Sequence, residues 1–141
     1  MKKEADFVPK DLDDALHYLL QSISQSEESI KALEGFADDE RGFLGELHFH
    51  TGMAMRNDWN LWWHENHGYE GWPKDKPEIV RYFNSIDIYH ADDMSGIIMT
   101  SLFRTYYNKP LDLPGQIKVY HDHWLKYSGN INPMLGDKEE N

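Results

Sequence analysis

Between Leu12 and Ile23 the apolar residues Leu12, Ala15, Leu16, Leu19, Leu20 and Ile23 recur at i, i+3, i+4 and i+7, with Asp13, Asp14 and Gln21 between them. That spacing gathers the apolar side chains on one face of a helix, which must then pack against another element. Asp11, after Pro9, is placed as the N-cap, and Asp14 three residues on makes a shortened capping box. The helical rhythm returns along the chain, and only Ser85 to Tyr89 is ambiguous with a strand. At 141 residues one core suffices, since a chain of this size buries about 68% of its unfolded surface. The expectation is an all-α, single compact domain of five to six short helices packed at mixed angles. It spans residues 9–129, between an N-terminal arm at 1–8 and a loose C-terminal tail at 130–141.

Two stretches hold most of the unusual residues: Phe43 to Trp63, read as the organising element, and its companion Tyr82 to Arg104. Ser24 with Glu27 opens a second helix carrying Ile30, Leu33 and Phe36, interrupted by Gly35 and the acids Asp38 to Glu40. A central helix then runs from Phe43 to Arg56 or Asn57, with Phe43, Leu47, His50 and Ala54 on one face. Gly45 and Gly52 lie on a neighbouring face, where each costs about 1 kcal/mol relative to alanine, so close approach of another element or a kink is expected there. The connection to Pro77 is long for a compact domain, and Asn60 to Asn66 is expected to continue as a helical turn. Pro77 takes the first position of a fourth helix with Ile79, Val80, Phe83 and Ile86. Asp92 is placed as the N-cap of a fifth, with Asp93 and Ser95 in its first turn and Met94, Ile97, Ile98, Ser101, Leu102 and Thr105 facing inward. Pro114 starts the last helix, which carries Ile117, Tyr120, His121 and Trp124 and stops at Ser128-Gly129.

The absence of cysteine excludes a disulfide framework, a thiolate zinc site and a cysteine nucleophile. No apolar run approaches the roughly 18 residues of a membrane span, and the acidic start lacks a signal peptide's apolar stretch, so a soluble, cytoplasmic protein without a membrane partner is expected. The net charge is −11, and the first 40 residues hold eleven acids against four lysines, about two thirds of the excess. Direct nucleic-acid binding needs clustered Lys and Arg and is disfavoured. The simpler account of the surplus is that an acidic surface keeps a small protein soluble; a basic protein partner is the alternative, because a surface of one sign steers its opposite. Protonating all eight histidines would take −11 to −3, so such an association weakens as pH falls through about 6.5.

Gly52-Met53-x-x-Arg56-Asn57-x-Trp59-x-Leu61-Trp62, then Tyr82-Phe83, then His90-x-Asp92-Asp93-Met94-Ser95 and Ile98, is similar to the signature of a family of small bacterial domains of unknown function. The resemblance covers roughly residues 9–126. It implies a compact single domain from bacteria or their phages, and brings no established activity, cofactor or catalytic residue.

The side chains must therefore speak for function. His64-Glu65-Asn66-His67 is one residue short of the zincin spacing, and His48/His50 and His121/His123 at i, i+2 point about 200° apart on a helix. Histidines as packing and capping groups are the simpler account, and no cofactor or metal is assigned. Ser95 near His90 and Asp92 has the residue types of a triad without its geometry, so no catalytic residue is assigned either. Arg56 beside Asn57 is expected to fork onto Asp92 or Asp93 and tie the two signature segments together. Four of the five tryptophans fall between Trp59 and Trp72. Trp59 and Trp62 are read as core, and Trp63 and Trp72 as an exposed binding patch. With Asp13, Asp14, Glu27 and Glu28 they form the candidate binding residues of a non-enzymatic acidic domain, an inhibitor of immunity or anti-defence type acting on a basic protein. The alternative is a small metal- or small-molecule-dependent enzyme built around Arg56, Asn57, His90, Asp92 and Asp93.

Overall fold

The computed structural model describes residues 7–134, which hold eight α-helices and no strand. Helix α1 is Leu12–Ser24, α2 Glu27–Glu34, α3 Glu40–Leu47 and α4 Met53–Asp58. They are followed by α5, Trp63–Asn66, α6, Glu78–Ser85, α7, Ala91–Tyr106, and α8, Leu113–Ser128. A π-helical segment, His48–Gly52, joins α3 to α4. The all-helical expectation holds, but the count is eight rather than five to six. The extra elements arise where the central helix is broken by the π segment and where the Trp-rich connection winds into α5.

The molecule is organised around α7. Eleven of its sixteen residues are buried, so it is covered all round rather than along one stripe. It packs against α1, α3, the π segment, α4 and α8. The core joins Leu12, Ala15 and Leu16 of α1 and Phe43 of α3 to Ile97, Ile98, Met99 and Phe103 of α7. Ile79, Val80 and Phe83 of α6 complete it. Phe43 meets Phe103 at 5.2 Å between ring centroids.

Local signals place the helix ends to within a residue or two. Asp11 caps α1 by accepting from the Asp14 amide at 2.9 Å, while Asp14 reaches back to the Lys10 amide. Ser26, not Ser24, caps α2, because α1 extends through Ser24. Pro77 stands just before α6 rather than inside it. The π segment overturns the predicted central face. One extra residue per turn rotates everything downstream, so His50 and Ala54 are exposed while Gly52, Met55, Arg56 and Trp59 turn inward. From the expected N-terminal arm, Phe7 stacks on Tyr18 at 4.4 Å and meets Trp59 edge-on. Residues 1–6 of that arm, and 135–141 of the tail, lie outside the described residues. No described helix is long and apolar enough to cross a membrane.

Candidate functional site

The two signature segments meet at a buried guanidinium. Arg56, on the last turn of α4, is 5% exposed, which obliges the fold to supply partners for its charge. Its Nη1 donates to Ser95 Oγ at 2.8 Å, its Nη2 to the His48 carbonyl of the π segment at 3.3 Å, and its Nε lies 3.4 Å from Asp92 Oδ1. The expected fork onto a carboxylate is thus replaced by three separate acceptors. Gly52 makes room for it, since a Cβ there would stand 2.8 Å from Nη1 and 3.5 Å from Met99 Cε. Gly45 faces open space, so the close approach expected at both glycines exists at one.

The start of α7 is capped by His90, not Asp92. The His90 Nδ1 accepts from the Asp92 amide at 3.0 Å, an assignment that fixes the neutral tautomer with its proton on Nε2. Its ring lies between two indoles, edge-on to Trp62 at 5.3 Å and stacked on Trp124 at 5.6 Å. Asp93 turns away from Arg56 and is buried against α8, where Trp124 Nε1 donates to its Oδ2 at 2.7 Å. Burial drives the Asp93 carboxyl above its usual range, against the opposing pull of the Trp124 hydrogen bond. Tyr120, also on α8, is pushed up to about 12 by burial first and by Asp93 and Asp92 second. Its hydroxyl packs on Gly96, where a Cβ would collide with it.

The remaining candidates are dispersed. Asp13 is exposed 3.6 Å from His17, Glu27 and Glu28 are exposed on the first turn of α2, and Asp14 is engaged as a cap. Asn57 is exposed. Trp59 is 5% exposed and Trp62 half-buried. Trp63 and Trp72 are half-buried too: Trp63 donates to the Pro73 carbonyl at 2.9 Å, with the His67 ring stacked on it and Lys76 Nζ 5.5 Å from its centre. The most exposed ring of that loop is Tyr69. His64 pairs with Asn84, and among the described residues no three His, Asp or Glu side chains converge to hold a metal.

Sequence reasoning missed the contribution of α8. Spacing places Trp124 and Tyr120 on a helix and gives Gln116 no role, yet the three partner Asp93, Gly96 and Ser101. It also missed Arg104, which grips both oxygens of Glu40 at 2.9 and 3.0 Å across 64 residues. No curated protein and no solved structure matches the chain. The profile of one family, described as a domain of unknown function, DUF6794, matches residues 8–106, from the segment before α1 to the end of α7. The chain belongs to that family.

Proposed function

We propose that this chain is a non-enzymatic binding domain whose acidic leading helices engage a basic protein, as an inhibitor of the immunity or anti-defence kind would. The observation that supports this reading is the surplus of exposed acid on α1, α2 and the turn leading into α3. Asp13, Glu27, Glu28, Glu34, Asp38 and Asp39 are exposed, and only two lysines lie among residues 7–40. Among the described residues no Lys or Arg comes within ion-pair distance of Glu27, Glu28, Glu34, Asp38 or Asp39. Such a field favours encounter with a positive surface and fades with added salt. Capture from a lysate of the native source, at low and high salt, tests it against the double variant Glu27→Lys, Glu28→Lys. The expected result is a basic protein retained at low salt, released at high salt and lost in the variant. Capture that ignores both salt and charge reversal would refute it.

Small-molecule or metal-dependent chemistry around Arg56, His90, Asp92 and Asp93 is the second reading, favoured by one observation, the raised carboxyl of Asp93. Stoichiometric metal in the purified protein, or an activity abolished in a folded Asp93→Asn variant, would establish it.

A further inference from the structure

Outside the signature cluster, a cleft of about 320 Å³ lies between α3, α7 and α8. Gln116 forms part of its lining and is 8% exposed, so its amide is a built-in group rather than a surface one. The Nε2 of Gln116 donates to the Leu111 carbonyl at 2.9 Å and to Ser101 Oγ at 3.2 Å. A carbonyl can only accept, so this pairing fixes which end of the amide is nitrogen. Its Oε1 has no donor among the described residues. It is not sealed off either, since Asn60 Oδ1 is the one fully buried side-chain atom there without a partner. Gln116 thus brings to the cleft wall an amide oxygen with no protein donor among the described residues.

The charges around it choose the donor. Arg104 lines the cleft with three of its five donors engaged: Nε and Nη2 hold Glu40, and Nη1 donates to the Leu111 carbonyl at 2.7 Å. Its charge is already matched by Glu40, and no other Lys or Arg is among the residues lining the cleft. Glu40 and Asp112 outnumber that one guanidinium, and Asp112 uses only Oδ1 to cap α8 at Gly115. Leu44 and Val119 add apolar walls suited to a methylene stem.

We propose that this cleft receives an arginine side chain of the basic partner, its guanidinium shared between Gln116 Oε1 and the carboxylate of Asp112. This rests on the binding reading given above and names its anchor point. A guanidinium carries five donors in a planar fork, which lets it serve an amide oxygen and a carboxylate together.

The test is an amide-resolved NMR titration of the full chain with Nα-acetyl-arginine amide, with the neutral citrulline analogue beside it. The arginine compound is expected to shift Thr100, Gly115, Gln116 and the Gln116 side-chain amide saturably, and citrulline much less. Asp112→Asn retains the cap and removes one exposed charge, so it should weaken binding about threefold. Gln116→Met should abolish the cleft shifts; should it fail to fold, Asp112→Asn decides. Equal shifts from citrulline, or arginine shifts confined to other surfaces, overturn the proposal. A nona-arginine peptide separates the two readings. Binding of the peptide on α1 and α2 without cleft shifts would overturn the anchor and leave the acidic-face reading standing. Arginine seated in the cleft of a protein that retains no basic polypeptide would uphold the anchor and refute that reading.

Discussion

Replacing Gly52 by alanine sets two effects against each other. The residue lies at φ −62°, an ordinary helical conformation, so alanine should bring about 1 kcal/mol of helix propensity. Its Cβ, however, would stand 2.8 Å from Arg56 Nη1, a distance that real contacts do not tolerate. The guanidinium cannot swing aside freely, because it is buried and tied to Ser95, the His48 carbonyl and Asp92. Displacing it gives up a hydrogen bond from a charged group, about 1.5–3 kcal/mol. The net result is destabilisation by about 0.5–2 kcal/mol, a fall in Tm of about 2–6 °C for a chain of this size. Gly45→Ala is the internal control: its Cβ would meet nothing within 4 Å, so it should stabilise by about 1 kcal/mol. Urea denaturation of both variants measures the difference. In an Arg56→Met background the Gly52→Ala penalty should vanish, leaving the propensity gain. If Gly52→Ala proves as stable as Gly45→Ala with Arg56 intact, the guanidinium is not where the structure puts it.

Arg56→Lys keeps the charge but serves three acceptors with one compact ammonium, and should cost about 1–3 kcal/mol in a urea melt; unchanged stability would deny the buried network. Asp93→Asn still offers an oxygen to Trp124 and should stabilise the protein at neutral pH. The folded Asp93 carboxyl titrates above its unfolded value of 3.8, so the wild type gains from protonation below that value and loses that gain as pH rises through the folded pKa. The advantage of the Asn variant should therefore narrow as pH falls towards 3.8, and a gap that does not change with pH would contradict it. Ultraviolet titration into alkali should find one tyrosine ionising near pH 12 that disappears in Tyr120→Phe; loss of an earlier-titrating tyrosine instead would count against its burial.

The parts of this fold legible in the sequence are those governed by neighbours along the chain. The stripe of α1, the Asp11 cap, the stop at Gly129 in the left-handed region and the apolar face of α6 follow from spacing and local chemistry. The π segment was not legible, because nothing in His48 to Gly52 announces an inserted residue, and with it went the facing of Met55 and Arg56. Asp92 looked like a cap because acids favour helix starts, but His90 one step before Ala91 had the acceptor in reach. Arg56 was rightly paired with the start of α7 by residue type, whereas its division among Ser95, a carbonyl and Asp92 depends on burial that no local pattern encodes. The ties from Trp124 to Asp93 and from Arg104 to Glu40 span 31 and 64 residues, beyond any periodicity.

The family match stops at residue 106, before the last helix begins at Leu113. The guanidinium knot at Arg56 thus falls wholly inside the shared portion, whereas Asp112, Gln116 and Val119 fall outside it. The terminal helix nevertheless reaches back into that portion, because Trp124 bonds Asp93 and stacks on His90 and Tyr120 closes over Gly96, so removing it would uncover a carboxylate that the matched residues alone leave without its indole donor.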